Sequence, residues 1–287
     1  MSPLLDASAC HNLLRSFLAE DIASGDITTE TTVASTQRAR GEVVCKAPLV
    51  LAGTDIFVEV FRLLDLTTDA EILVPDGEEV TPGKVPARVK SSARALLTGE
   101  RVALNLLQRL SGVATLTRRF VRAVGGTGAE ILDTRKTTPG LRGLEKYAVR
   151  VGGGRNHRRD LSEAVLIKEN HNRLAGGISA ALNAAQAARG RAKWIEIEVT
   201  NLDELKEALR HAPDVILLDN MSPRLVREAV DEVRKHSAAK KILTEASGGI
   251  SLGNVREFAE AGVDWISVGA LTHSAPAVDI SFEIEPE

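Results

Sequence analysis

The chain has 287 residues, of which 44% are hydrophobic and 26% charged, and its formal net charge at pH 7 is −3. That length can bury a full core as one large domain or two modest ones, and the slight negative charge argues against nucleic acid or an anionic membrane as a partner. Cys10 and Cys45 lack CxxC spacing, the first 30 residues lack an apolar leader, and the apolar runs are too short to cross a bilayer, so we expect a cytoplasmic protein.

The first 110 residues predict an α+β domain. A helix is expected at Thr54–Leu64, and a longer helix at Ala93–Leu110 leads out of the region. Turn residues such as Gly77 and Pro82 separate the predicted strands. These strands are Arg40–Ala47, Ala70–Val74 and Val85–Ser91.

The remainder of the chain alternates short β-branched runs with helical patterns, which is typical of a parallel α/β sheet. The predicted strands are Glu130–Leu132, Ala164–Ile167, Trp194–Val199, Asp214–Leu218, Lys241–Thr244 and Asp264–Val268. The predicted helices are Gly177–Arg189, Leu202–Leu209, Pro223–Lys235 and Leu252–Ala261. Such a series favours a barrel, with an open sheet as the alternative.

The end of the chain alternates apolar and polar residues over Val278–Ile284, which predicts one more strand. Because it follows the α/β series, it is expected to return to the N-terminal sheet. The predicted domains are therefore residues 1–110, joined by a strand within 275–287, and residues 111–274.

A strongly basic segment lies between residues 135 and 159. A solvated face is the ordinary explanation for such a run. Arg135 and Lys136, however, directly follow a predicted strand, where barrel enzymes place their chemistry. Three glycines precede His157 and Arg158 closely and allow near approach of the backbone to a ligand. The segment therefore indicates a site for a small polyanion.

Three further charged residues each end a predicted strand. Lys168 could be a surface residue or a Schiff-base nucleophile. Glu198 and Asp219 could cap helices, bind ribose hydroxyls, hold a divalent ion or face a developing positive charge. Together with Arg135 and Lys136 they predict a charged ring around one pocket.

The last two predicted strands end in small residues. Ser247, Gly248 and Gly249 follow one strand, and Gly269 and Ala270 follow the other. Paired glycines are common in turns, but two such loops at the end of an α/β series favour a phosphate site.

Several strings resemble those of the quinolinate phosphoribosyltransferases, in that family's order. They are TGER at 98–101, NLL at 105–107, DTRKTTPGLR at 133–142, GGGRNHR at 152–158, LIKENH at 166–171, EIEV at 196–199, LLDN at 217–220 and ASGGI at 246–250. The resemblance implies an α/β fold with an N-terminal α+β sandwich domain plus an open α/β barrel. It also implies a homodimer with shared active sites, Mg²⁺ as the cofactor, and phosphoribosyl transfer from phosphoribosyl pyrophosphate to quinolinate with decarboxylation.

The resemblance further implies how the substrates are bound. Arg135, His157, Arg158 and Lys168 would bind the two carboxylates of quinolinate, and Arg101 would reach in from the partner subunit. The 5′-phosphate would be held by the two small-residue loops, at Ser247, Gly248, Gly249, Gly269 and Ala270.

The implied catalytic residues are Lys136, Glu198 and Asp219. Lys136 would neutralise the departing pyrophosphate together with Mg²⁺. The two acids would hold the ribose hydroxyls and the metal, directly or through water, and would stabilise positive charge at C1 of the ribose.

Other functions remain as alternatives. A paralogue could transfer phosphoribosyl to a different base, and it would be expected to alter the carboxylate-binding residues. A Schiff-base aldolase would use Lys168, and a non-catalytic metabolite-binding protein would have no need of Glu198 or Asp219. His273 is assigned no role.

Overall fold

The computed structural model describes residues 7–236 and 241–287. Its helices are α1 Ala7–Ile22, α2 Ile27–Thr32, α3 Thr54–Leu64, α4 Ala93–Ala123, α5 Arg142–Val151, α6 Glu169–Ala175, α7 Ile178–Ala187, α8 Leu202–Leu209, α9 Pro223–His236, α10 Val255–Glu260 and α11 Ala270–His273. Its strands are β1 Arg38–Cys45, β2 Leu49–Val50, β3 Asp69–Ile72, β4 Glu79–Val80, β5 Ala87–Ser92, β6 Glu130–Leu132, β7 Val165–Ile167, β8 Ile195–Val199, β9 Val215–Asp219, β10 Leu243–Ser247, β11 Trp265–Ser267 and β12 Ile280–Pro286.

The chain divides into two compact units. The first comprises residues up to 118, 138–153 and 274–287, and the second comprises 119–137 and 154–273. Helix α4 continues to Ala123, beyond the predicted end at Leu110, so the predicted domain boundary falls inside this helix. Its later turns bury Leu110, Val113 and Phe120, and this apolar spacing extends the helix.

An antiparallel sheet in the order β12-β1-β5-β3 forms the centre of the first unit. The strand predicted at the end of the chain is β12, and it pairs with β1 in a register that places Val43 opposite Phe282. Phe282 packs on Phe57 and Phe61 of α3, at ring-centroid distances of 5.3 and 5.4 Å. Residue 41 must be glycine here, because a Cβ atom would lie 2.0 Å from the Phe282 ring.

Six parallel strands in the order β6-β11-β10-β9-β8-β7 form the second unit. Strand β9 is buried along its length up to Asp219, which explains its continuous apolar run at Val215–Leu218. Strands β7 to β11 follow one another in sequence, and β11 then pairs with β6. This is the order of an α/β barrel opened between its first two strands. The expected combination of an α+β domain with a parallel α/β domain is confirmed.

The free edge of β6 is covered by a short extended segment. Arg155 forms a parallel bridge with Leu132, in which its N–H donates to the Ile131 carbonyl at 2.8 Å and its carbonyl accepts from Asp133 at 3.1 Å. This segment leads directly to His157 and Arg158. Pairing with β6 therefore fixes where those two side chains lie.

Parallel pairing also aligns the carboxyl ends of the strands. Ile167 is in register with Ile197, so Lys168 and Glu198 leave neighbouring strands at the same level. Asp219 is likewise in register with Ser247. The strand ends predicted to carry the chemistry thus meet at one edge of the sheet.

Candidate active site

A cavity of about 430 Å³ opens at the carboxyl ends of the parallel strands. Of the predicted site residues, only Arg101, Gly269 and Ala270 are not among its lining residues. The lining residues are Thr134, Arg135, Lys136, His157, Arg158, Leu166, Lys168, Glu198, Asp219, Asn220, Glu245, Ser247, Gly248, Gly249 and Ser267. The second unit therefore brings all five residues of the predicted charged ring together.

Gly269 lies beside one of the lining residues. A Cβ atom at residue 269 would lie 3.1 Å from Lys136 Cδ and 3.2 Å from His273 Nε2. Ala270 follows it as the first residue of α11, and the Thr272 hydroxyl donates to the Lys136 carbonyl at 2.8 Å. The second small-residue loop therefore packs against Lys136.

Arg101 belongs to the first unit, on α4. Its side chain is 61% exposed, and its guanidinium lies 3.9 Å from the neighbouring Glu100 carboxylate. It lines a different cavity, of about 300 Å³, together with Phe17, Asp21 and Asn105 among others.

The basic segment is divided between the two units. Arg142 and Arg150 lie on α5 of the first unit. Arg155 pairs with Glu130 at 2.6 Å and stacks 4.9 Å from the Trp265 ring centroid. Only part of the segment therefore lines the cavity, namely Arg135, Lys136, His157 and Arg158.

Two acids and a lysine meet on the β7–β9 side of the cavity. Lys168 Nζ lies 2.5 Å from Glu198 Oε2. Burial and the nearby Glu198 charge raise the pKa of Asp219, while Lys168 and Lys136 oppose this effect. The two carboxylates are therefore close enough to repel each other, and cations reduce that repulsion.

These acids are also the residues of the cavity best suited to Mg²⁺. Magnesium prefers carboxylate oxygens, and a divalent ion would relieve the mutual repulsion that raises the pKa of Asp219. The donor set at Glu198 and Asp219 therefore fits the cofactor expected from the resemblance.

The loop after β10 has a backbone that suits only glycine. Gly248 has φ +93°, and a Cβ atom there would lie 2.2 Å from Asn220 Oδ1. Asn220 in turn donates from its backbone N–H to the Ser247 carbonyl and from its side-chain amide to Asp219, at 2.9 and 2.7 Å. Asn220 thus links the loop at Gly248 to Asp219 at the end of β9.

A second group of lining residues is cationic. Arg158 is 6% exposed, and its guanidinium donates to the Ala164 carbonyl at 2.9 Å. Arg135 Nε is buried and, within the part of the chain that the structure describes, makes no hydrogen bond. An anionic ligand would supply the missing acceptor.

Family models match both parts of the chain. The model of the quinolinate phosphoribosyl transferase N-terminal domain matches residues 26–111, and that of the C-terminal domain matches residues 113–283. The chain belongs to the quinolinate phosphoribosyltransferase family. The resemblance seen in the sequence motifs is confirmed.

Relatives of this quinolinate phosphoribosyltransferase chain match it over nearly its full length. A probable nicotinate-nucleotide pyrophosphorylase [carboxylating] of Bacillus subtilis is 44% identical, with 95% of this chain and 92% of the relative covered. The nicotinate-nucleotide pyrophosphorylase [carboxylating] of Mycobacterium leprae is 43% identical, covering 96% and 97%. The nicotinate-nucleotide pyrophosphorylase structure from Francisella tularensis superposes with a TM-score of 0.92 at 39% identity, covering 99% of this chain and 100% of the other.

Two buried acids of this family member were not predicted as site residues. Glu196 and Glu245 are 0% and 1% exposed, and their carboxylates lie 3.0 and 3.4 Å from His157 Nε2. The sequence held only a local signal for them, an acid inside each of the short strands IEIEV and LTEAS. A charge inside a buried strand needs a partner, and here the partner is His157.

These three groups also form a candidate cation site, because their ligand atoms lie within 4.8 Å of one another.

No helix among residues 7–236 and 241–287 is long and apolar enough to span a bilayer.

Proposed function

We propose that this protein transfers the phosphoribosyl group of phosphoribosyl pyrophosphate to quinolinate with decarboxylation, as a step of NAD biosynthesis. The products would be nicotinate mononucleotide, CO₂ and pyrophosphate. Membership of the family and the names of relatives covering nearly the whole chain support this activity. The observation that carries the proposal is one cavity lined both by cations, at Arg135 and Arg158, and by acids, at Glu198 and Asp219.

The cationic side suits a planar dicarboxylate. Arginine can bind a carboxylate through two parallel hydrogen bonds, and the buried position of Arg158 strengthens such a contact. His157 and Lys168 line the same cavity, and Lys168 lies next to the acids, with its Nζ 2.5 Å from Glu198 Oε2. Quinolinate would place its two carboxylates against this set.

The acidic side suits the ribosyl group. As pyrophosphate leaves, C1 of the ribose becomes positively charged, and carboxylates fixed beforehand at Glu198 and Asp219 stabilise that charge. The pyridine nitrogen then bonds to C1. The positive charge of the resulting pyridinium stabilises the electron pair left on the neighbouring ring carbon when its carboxylate departs as CO₂, and that carbon finally takes up a proton from water.

Charge on the phosphates would be balanced at the other strand ends. Lys136 would face the departing pyrophosphate, and the loop at Ser247–Gly249 would hold the 5′-phosphate through close backbone approach. Glu198 and Asp219 would hold Mg²⁺, directly or through water, and the ion would supply further charge neutralisation when bound.

We also propose a homodimer with shared active sites in the cytoplasm. Arg101 is exposed on α4 and lines a cavity of the first unit, so its guanidinium is presented at the surface of that unit. In the homodimer it would complete the quinolinate site of the partner subunit.

A Schiff-base aldolase is the alternative that the site disfavours most directly. A Schiff-base lysine attacks as a neutral amine, whereas the 2.5 Å contact between Lys168 and Glu198 suits an ammonium group. Borohydride treatment with a carbonyl substrate should therefore leave Lys168 unmodified.

The deciding experiment is incubation with quinolinate, phosphoribosyl pyrophosphate and Mg²⁺, with CO₂ and nicotinate mononucleotide measured together. Nicotinate, which has one carboxylate, serves as the matched control and should react poorly or not at all. Equal turnover of quinolinate and nicotinate would contradict the dicarboxylate assignment. No product from either substrate would contradict the proposed activity. Omission of Mg²⁺ tests the cofactor in the same assay.

A further inference from the structure

Two acids buried directly behind a pocket for a dianion pose an electrostatic problem. Glu196 and Glu245 are 0% and 1% exposed, and Glu245 also lines the cavity. Ionised carboxylates at this place would repel quinolinate unless their charge were compensated. Their nearest cationic partner is the ring of His157, which is itself buried.

We propose that Glu196 and Glu245 are positioning residues that hold the His157 ring in one orientation and in its cationic form at the quinolinate side of the cavity. This inference rests on the proposed function, because it assigns the cluster a role in binding that substrate. Neither acid needs to touch the substrate; each acts through His157.

The orientation of the ring is fixed from several directions. His157 Nε2 lies 3.0 Å from Glu196 Oε2 and 3.4 Å from Glu245 Oε2. The backbone N–H of His157 donates to Asp133 Oδ1 at 2.9 Å. The Trp194 indole also packs against the ring at an interplanar angle of 82°, with centroids 5.6 Å apart.

Each acid is held on a second side as well. The Trp194 indole N–H donates to Glu196 Oε2 at 3.0 Å, and the Ser267 hydroxyl donates to Glu245 Oε1. Because these donors come from β11 and from the residue that precedes β8, the sheet itself sets the position of both carboxylates. The cluster is therefore a rigid support for the ring.

The charges that face the ring have opposing effects. Burial disfavours a charged ring, but the hydrogen bonds to Glu196 and Glu245 outweigh it and raise the pKa of His157 to about 10. Asp133 adds a third acid nearby, whereas Arg158 and, beyond it, Arg135 are cations on the substrate side. The Arg158 N–H, 2.8 Å from His157 Nδ1, also opposes a proton on that nitrogen. Two negative charges beside Nε2 act on the ring against this single backbone dipole, which favours the cationic form.

When the acids are replaced one at a time, the direction of the change in quinolinate affinity shows which role they have. If the carboxylates acted on quinolinate only as distant charges, Glu196→Gln or Glu245→Gln would strengthen binding of the dianion. If they act through His157, each substitution weakens binding. Loss of one charge-assisted contact should raise KM for quinolinate by about 10- to 100-fold and change kcat and KM for phosphoribosyl pyrophosphate much less.

The pH dependence separates this role from general support of the fold. Burial and the Glu196 charge raise the pKa of Glu245 to about 6, so in the unsubstituted protein KM for quinolinate should stay flat above that pH through neutral pH. In Glu196→Gln the ring should lose its proton nearer the ordinary histidine pKa of about 6.5, so KM should rise as pH increases above that value. Glu163→Gln is the matched control, because that acid pairs with Lys193 outside the cluster. Its KM should keep the flat profile.

A second measurement does not depend on activity. The ring signals of His157, assigned among the six histidines by comparison with His157→Gln, report its protonation by NMR. A ring that is neutral at pH 7 in the unsubstituted protein, or whose titration is unchanged in both glutamate variants, would overturn the proposal. So would stoichiometric Zn²⁺ that is lost in Glu245→Gln, since the cluster would then be a metal site. An inactive unsubstituted protein with the expected His157 titration would count against the proposed function alone.

Discussion

Lys168 Nζ and Glu198 Oε2 are 2.5 Å apart, so the lysine expected to bind a substrate carboxylate is paired with an acid expected to act on the ribose. The pair arises because Ile167 and Ile197 are in register on neighbouring parallel strands. The lysine therefore lines the cavity in direct contact with one of its two acids. Quinolinate would have to share it with Glu198.

This pairing predicts strong coupling between the two positions. Lys168→Met and Glu198→Gln should each lower kcat/KM, and the double variant should lose less than the product of the two single losses. Residues in contact typically couple by about 0.5–3 kcal/mol. A double-mutant cycle on kcat/KM measures the coupling. Lys193→Met, whose partner is Glu163, supplies a control cycle with Glu198→Gln that should be additive.

The two acids at the ends of β8 and β9 should act mainly on the chemical step. Asp219→Asn and Glu198→Gln should lower kcat by roughly 10²–10³ while changing KM for quinolinate less, because each removes an electrostatic contact to the ribosyl centre. Steady-state kinetics with both substrates varied test this. Variants with unchanged kcat would give these acids a structural role.

A methyl group should cost the glycine loop more at Gly248 than at Gly249, although φ is positive at both residues. In Gly248→Ala the new Cβ would lie 2.2 Å from Asn220 Oδ1, whereas at Gly249 nothing lies within 4 Å. Because the loop must move to relieve this contact, Gly248→Ala should reduce kcat/KM for phosphoribosyl pyrophosphate by about 10²-fold. Gly249→Ala is the matched variant, since its φ is also positive, at +63°. Equal losses in both would mean that backbone strain, and not the contact with Asn220, is decisive.

Asp65 should contribute to stability in a pH-dependent way. It accepts hydrogen bonds from Thr67, Ser91 and the Ser92 backbone, and those from Thr67 contribute most to lowering its pKa. Asp65→Asn should therefore cost about 1–3 kcal/mol of unfolding free energy at pH 7. A group with a lowered folded pKa stabilises above its unfolded value and loses that effect on acidification, so the difference should shrink below about pH 3.9. Denaturant unfolding measures it, with the exposed Asp69→Asn as control.

Arg101 should act in the partner's site of the proposed homodimer. Arg101→Ala and Lys168→Ala should each be nearly inactive alone. After subunit exchange a mixed dimer would contain one intact site, so activity should return to at most about half of the unsubstituted value per dimer. No recovery after exchange verified by mass would rule out the shared site. Arg101→Ala mixed with itself controls for the exchange treatment.

Several elements were predictable because their local pattern is strong. The helix expected at Thr54–Leu64 has those bounds in the structure, since its apolar face repeats at helical spacing. The helix expected over Leu252–Ala261 is shorter, Val255–Glu260. Its first turn is replaced by a loop in which Asn254 Oδ1 accepts from the Ser251 N–H at 2.8 Å. Side chains that compete with the backbone for hydrogen bonds shift helix ends in ways that periodicity does not reveal.

The sequence by itself determined the family and the strand ends that carry Arg135, Lys168, Glu198 and Asp219, because motifs and strand periodicity are local properties of the chain. Only the tertiary structure decided which of these charges meet. It divided the basic segment between two units and paired Lys168 with Glu198. It also placed Glu196 and Glu245, 49 residues apart by their numbering, on one nitrogen of His157. Such contacts depend on strand order and register, which are set by packing of the whole sheet and not by neighbouring residues.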